Sequence, residues 1–274
     1  MVTMSDAEPA VDPRGADLSK DDTVLRVEDL QKSFGALVAT DHATFEVECG
    51  TITGLIGPNG AGKSTIFNLV SGFYEPEGGR VEVNGTDVTG MEPYEVAEHG
   101  LIRTFQTPRK LEGMTVREAM LVGPRKQPGE SFVKLFTSPG EVGESESRNL
   151  AEAERILEEF EIDHLATQPA TQISGGQMKL VELARAMLAE PEILLLDEPA
   201  AGVNPTLQNQ LVEQIRRLNE QGTTFLLIEH DMDFVMQLAD PVIVLDQGSV
   251  LMEGPPQRVQ SDTRVIDAYL GGGA

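Results

Sequence analysis

From Thr23 onward the apolar positions follow two rhythms. "TVLRVEDL" and "ATFEVECG" alternate apolar and polar residues, the period of half-buried strands. "ITGLIG" is a short apolar run ending in glycine and predicts a buried strand. From Gly62, "GKSTIFNLVSG" changes to helical spacing and stops at Gly72. "RVEVNGTDVT" places an Asn-Gly pair in a hairpin context. "HGLIRTFQ" predicts another short strand, with Gln106 at its end. The rhythm then breaks: "GPRKQPGESFVKLFTSPGEVGESESRN" is rich in Gly, Pro, Ser and Glu and predicts a long loop or loosely helical insertion. Helical periodicity resumes in "LAEAERILEEFEI" and, after "ISGGQ", in "MKLVELARAMLAE", which Pro191 ends. "EILLLDEP" and "TTFLLIEH" are buried strands closing on Asp197, Glu198 and His230. Between them, "PTLQNQLVEQIRRLNEQG" has Pro near its start and Gly at its end, as helices do. "PVIVLDQGSVLMEG" reads as two strands around a turn, and "TRVIDAYL" as a last helix.

Strands alternating with helices predict an α/β fold with a mostly parallel sheet covered on both faces. In such sheets ligands sit at the carboxyl ends of the strands. Gln106, Asp197, Glu198 and His230 all occupy that kind of position.

Composition narrows the function. The chain has 274 residues and a net charge of −24, from 21 Lys+Arg against 45 Asp+Glu. A nucleic-acid footprint needs the opposite sign, so no nucleic-acid partner is expected. The acid is spread along the chain and Lys is scarce, which fits either a protein adapted to high salt, where self-repulsion is screened, or a merely acidic mesophilic one. Cys49 is the only cysteine, excluding an internal disulfide and a thiolate metal site, and reads as a small buried hydrophobe. No apolar run approaches the roughly 20 residues that span a bilayer. Residues 1–22 are acidic with Pro and Gly, the reverse of a signal peptide, and read as a disordered tail.

Against this background one segment carries specific chemistry. "GPNGAGKS", Gly57 to Ser64, fits G-x-x-x-x-G-K-[ST] between a predicted strand and helix. The glycines let backbone N–H groups turn toward phosphate oxygens, and the helix N-terminus adds its positive dipole end. Lys63 would bridge the β- and γ-phosphates, and the Ser64 hydroxyl would ligate Mg²⁺. Asp197, at a strand end, can hold Mg²⁺ through water, while Glu198 is placed to orient or deprotonate an attacking water. "TQISGGQMKL" opens a second helix with two glycines, a second anion-binding candidate.

Taken in order, "GPNGAGKST", "ISGGQ", "LLLDEP" and "IEHD" resemble the ATP-binding cassette ATPases, from about residue 23 to 270. The resemblance implies a RecA-like P-loop NTPase core with an N-terminal antiparallel β portion and an inserted α-helical subdomain. The core would span 23–106 and 179–254, the helical subdomain 107–178 and a C-terminal helical extension 255–270, with 271–274 a flexible tail. It implies a Mg²⁺-dependent ATPase. Phe34 matches the aromatic that stacks on adenine. Gly57, Pro58, Asn59, Gly60, Ala61, Gly62, Lys63, Ser64 and Thr65 form the loop that holds the phosphates. Gln106 matches the glutamine that touches Mg²⁺ and the attacking water, Asp197 the Mg²⁺-binding aspartate, Glu198 the catalytic base and His230 the switch histidine at the γ-phosphate. Ser174, Gly175, Gly176 and Gln177 match the signature that caps ATP on a partner cassette, so a second ATPase subunit is implied. Ile173 stands where Leu is usual, and Asn204 where many relatives have Asp. His42, His99 and His164 match no motif and read as surface or structural residues.

"GLIRTFQTPRKLEGMTVREAMLVG", "STIFNLVSGFYEPEGG", "DEPAAGVNP" and "VIDAYLGGG" are similar to the branched-chain amino-acid importer group, in its LivG-type form. Urea and other amide importers share these features, and an exporter or a non-transport cassette clamping a soluble partner are the alternatives. The group implies two transmembrane permease subunits, an extracytoplasmic solute-binding protein and a place on the cytoplasmic face of the membrane. Pro108, Leu111, Met114 and Val116 fall where a permease would dock, or else pack the helical subdomain.

Overall fold

The computed structural model describes residues 22–104, 111–123 and 139–271, with the side chains of 139–142 and 271 left aside. Four strands form an antiparallel sheet: Thr23–Phe34 (β1), Leu37–Glu48 (β2), Gly78–Val83 (β4) and Thr86–Asp87 (β5), in the order β2-β1-β4-β5. The β4–β5 hairpin turns at Asn84 and Gly85, both at positive φ (50° and 70°), as the Asn-Gly pair predicts. Ile52–Ile56 (β3), Leu101–Arg103 (β6), Ile193–Asp197 (β7), Thr224–Ile228 (β8), Val242–Asp246 (β9) and Ser249–Gly254 (β10) form the second sheet, in the order β10-β9-β3-β8-β7-β6. All its pairings are parallel except β9–β10.

Successive residues of β7 enter different cores, because side chains along a strand alternate between faces. Ile193 and Leu195 join Leu226, Ile228, Ile243 and the buried residues of the antiparallel sheet around Lys63–Val70 (α1). Leu194 and Leu196 join Phe225 and Leu227 against Gly175–Met187 (α5), Pro205–Glu220 (α6) and Met232–Leu238 (α7). The parallel strands are buried on both faces, which is why they read as unbroken apolar runs. Pro93–Glu98 (α2) leads into β6.

The helical portion packs on the second core through Val116–Met120 (α3) and Pro139–Glu159 (α4). Of the two readings of the insertion, loop or loosely helical, its described end takes the helical one: α4 begins at Pro139 rather than Leu150, because the residues up to Asn149 extend the helix even though their polarity hides its apolar stripe. Val116 is fully buried and therefore belongs to the core, while Met114 is 38% exposed and Leu111 half-buried; Pro108 lies outside the described residues. Cys49 is exposed, contrary to the buried reading, because it sits in the turn after β2 where the chain leaves the sheet. The expected tail lies outside the described residues up to position 21. At the other end, Pro256–Ser261 (α8) and Thr263–Gly271 (α9) follow β10. Among the described residues no helix is long and apolar enough to cross a membrane.

Candidate functional site

The phosphate loop joins β3 to α1. Its geometry depends on close backbone approaches: a Cβ on Gly57 would lie 2.3 Å from the Leu245 carbonyl oxygen, and one on Gly62 2.4 Å from that of Ala39. Gly62 also has φ 100°, a left-handed conformation that costs other residues dearly. The β9–β10 turn braces the loop from outside, with Gly248 N–H donating to the Ala61 carbonyl at 3.0 Å. The Lys63 ammonium donates to the carbonyls of Gly57 (2.7 Å) and Pro58 (3.0 Å). Burial pushes its pKa down, and the nearby Glu198 carboxylate opposes that shift. Asn59, Gly60 and Ser64 are exposed, and Thr65 is half-buried, at the open side of the loop.

The carboxyl ends of β7 and β8 lie side by side, with Asp197 in register with Ile228. Asp197 is buried and Glu198 follows it at φ 48°, an uncommon backbone conformation for a side-chain-bearing residue. Glu198 is held there by its N–H, which donates to the Ile228 carbonyl at 2.9 Å, and by Lys179 Nζ of α5, which donates to the Glu198 carbonyl at 2.6 Å. His230 lies two residues beyond the end of β8, with Nδ1 3.8 Å from a Glu198 carboxylate oxygen. Lys63 at the start of α1, Glu198 after β7 and His230 after β8 are therefore neighbours although they come from three separate parts of the chain. Gln106 lies outside the described residues, so its relation to them is not described.

Phe34 ends β1 and is 44% exposed, with one edge against Tyr74 at 5.4 Å between centroids and Lys32 Nζ 5.8 Å from its own. An exposed, braced ring is suited to stacking a flat base. Ser174 is the N-cap of α5: its hydroxyl accepts from Gln177 N–H at 3.2 Å, and the Gln177 side chain accepts from Ser174 N–H at 2.9 Å. The motif is thus also a reciprocal capping box. Gly176 is buried, with Leu207 of α6 in the space a Cβ would take, whereas Gly175 has open space around it. Ser174 and Gly175 present the helix N-terminus to solvent.

Sequence reasoning misses three residues at the site, of which two, Arg103 and Tyr269, carry no local signal. Glu229 is fully buried; its carboxylate accepts from Ala200 N–H at 2.7 Å and His230 N–H at 3.2 Å, tying the loop after Glu198 to the end of β8. Burial raises its pKa, against the effect of those backbone donors. Arg103 of β6 pairs with Asp197 at 2.8 Å. Tyr269 of α9 lies beside the phosphate loop, near the Gly57 N–H, and partial burial raises its phenol pKa against the influence of that backbone group. Only the acid in "IEHD" stands out, as a charge closing an apolar run.

The profile described as ABC transporter matches residues 40–201, and that described as branched-chain amino acid ATP-binding cassette transporter matches 249–274. The probable branched-chain amino acid transport ATP-binding protein LivG of Archaeoglobus fulgidus is 41% identical over 249 residues, which is 90% of this chain and 95% of that protein. The high-affinity branched-chain amino acid transport ATP-binding protein BraF of Pseudomonas aeruginosa is 39% identical over 250 residues, 90% of this chain and 98% of its own. Among solved structures, a nucleotide-free ATP-binding cassette from an ABC transporter gives a TM-score of 0.79 at 39% identity, over 90% of this chain and 98% of that one. The ADP conformation of an ATP-binding cassette gives 0.79 at 40% identity, over 91% and 99%. With the same fold and extended identity along nine-tenths of its length, this chain belongs to the ATP-binding cassette transporter family.

Proposed function

We propose that this chain is the ATP-hydrolysing subunit of an importer for branched-chain amino acids. The observation that carries the reading is the similarity of nearly the whole chain, its C-terminal segment included, to ATP-binding proteins named for that transport. On binding ATP, Lys63 exchanges two backbone carbonyls for phosphate oxygens, a stronger charge-assisted contact. Phe34 stacks the adenine. Ser64 and Asp197 would supply hard oxygen donors suited to Mg²⁺. When bound, the ion neutralises charge developing on the phosphoryl oxygens.

Glu198 takes a proton from the attacking water, and its strained backbone, fixed through Ile228 and Lys179, sets the direction of its carboxylate. His230 would contact the γ-phosphate, and Gln106, by its match to the family's glutamine, would serve Mg²⁺ and the attacking water. The exposed N-terminus of α5 caps ATP held by a second cassette, and the signature of that cassette caps the ATP on Lys63 in return, so two ATPase subunits close around two nucleotides. The pair works beneath two permeases on the cytoplasmic face of the membrane, fed by an extracytoplasmic binding protein. The test is ATP-dependent uptake of labelled leucine, isoleucine, valine and urea by vesicles holding the complete transporter. Uptake of the three amino acids supports the proposal; uptake of urea alone, or of none, overturns it.

A further inference from the structure

Arg103 has no part in the roles assigned above, yet it joins two functional elements, the acid at the end of β7 and the helix after the phosphate loop. It ends β6, three positions before Gln106. One terminal nitrogen donates to Asp197 Oδ2 at 2.8 Å. The other donates to Asn68 Oδ1 at 2.7 Å and Ser71 Oγ at 3.2 Å, both on or just after α1. The guanidinium carbon lies 5.6 Å from the Phe67 ring centroid and 5.7 Å from that of Phe73. Both members of the ion pair are largely buried, at 11% and 6% side-chain exposure. The fork is therefore fixed to the helix whose first turn is the phosphate loop, and its other arm grips the acid at the end of β7.

A carboxylate that holds a cation with one oxygen needs its rotamer fixed, or binding must bear the entropy of ordering it. A planar guanidinium bound at both arms supplies that orientation; a lysine, with one ammonium, cannot span both sets of partners in fork geometry. We propose that Arg103 is a positioning residue: it sets the Asp197 carboxylate relative to the phosphate-loop helix so that its remaining oxygen faces the Mg²⁺ that accompanies ATP. The inference rests on the reading of Asp197 as a Mg²⁺ ligand. It makes Arg103 the mechanical link by which the strand entering the glutamine loop and the helix leaving the phosphate loop share one acid.

Arg103→Lys tests this well because charge is kept and only the fork is lost. Binding of a fluorescent N-methylanthraniloyl ATP to the purified full chain is measured in saturating Mg²⁺ and in EDTA. The ratio of the two dissociation constants reports how far Mg²⁺ tightens binding. Arg103→Lys is expected to leave the EDTA value within about twofold of wild type and to shrink the ratio about 10-fold, the usual scale for losing a group that orients a metal ligand. The double variant Asn68→Ala/Ser71→Ala keeps the ion pair but cuts its anchor, and should shrink the ratio about 3-fold, less than the loss of the orienting group itself. An unchanged ratio in both variants overturns the proposal. So does an equal weakening with and without Mg²⁺, the mark of a merely structural residue. A wild-type protein with no Mg²⁺ tightening overturns the reading of Asp197, and this inference with it.

Discussion

Glu229→Ala removes a fully buried carboxylate that accepts backbone hydrogen bonds from Ala200 and His230. A buried N–H left without an acceptor costs about 1–3 kcal/mol, and the missing side-chain atoms add to that. A loss of about 2–4 kcal/mol corresponds to roughly 5–15 °C in melting temperature for a chain of this size. Glu229→Gln carries no charge and so avoids the cost of burying a carboxylate, but its one amide oxygen can accept from only one of the two backbone N–H groups, so it should fall between wild type and Glu229→Ala, about 1–2 kcal/mol below wild type at pH 7.5. The sign of the pH dependence follows from burial, which raises the folded-state pKa of Glu229 above its unfolded value. The folded state then holds the proton more tightly, so wild type gains stability relative to Glu229→Gln as pH falls through that raised value, and loses it as pH rises. Thermal unfolding of wild type and both variants across the acidic to neutral range measures all three quantities. A Gln variant as unstable as the Ala variant, or a gap to wild type that does not depend on pH, would refute the assignment of Glu229 as a neutralisable buried acceptor.

Other consequences are sharp enough to check individually. Lys63→Ala should weaken nucleotide binding at least about 10-fold, since a charge-assisted phosphate contact is lost; titration calorimetry reads it directly. Gly62→Ala forces a Cβ to 2.4 Å from a backbone oxygen at φ 100° and should cost at least about 2 kcal/mol of stability, read from denaturant unfolding. Gly175→Ala has open space and should fold normally, yet slow ATP turnover of the assembled transporter if the N-terminus of α5 approaches a partner's nucleotide. The net charge of −24 predicts that the melting temperature rises from low to molar KCl; no rise would remove the high-salt reading.

How much of this was visible in the sequence depended on the range over which each feature is encoded. The phosphate loop, the Asn84-Gly85 hairpin and the parallel strands are written in consecutive residues, and all appear in the structure where the pattern put them. The "SGGQ" segment was legible as a helix start, but its reciprocal cap became evident only from the Ser174–Gln177 hydrogen bonds. Arg103 was visible only as part of a family-like "RTFQ", because its partners lie 32, 35 and 94 positions away. Tyr269 and Gly57 meet only once the C-terminal helix folds back on the phosphate loop. The polar residues of α4 concealed roughly its first three turns, since a polar helix lacks the apolar period by which helices are recognised. Val116 shows the converse limit: an apolar residue near a docking segment has the same composition whether it faces a partner or the core, and burial alone decides.

The central claim is that Glu198, set at the end of β7 against Lys63 and His230, is the base for ATP hydrolysis. The most direct measurement is steady-state phosphate release by the assembled transporter carrying Glu198→Gln, alongside ATP binding to the same preparation. The account predicts a loss of turnover of about 100-fold or more, on the scale of a lost general base, with binding retained. Turnover at the wild-type rate in that variant would contradict it.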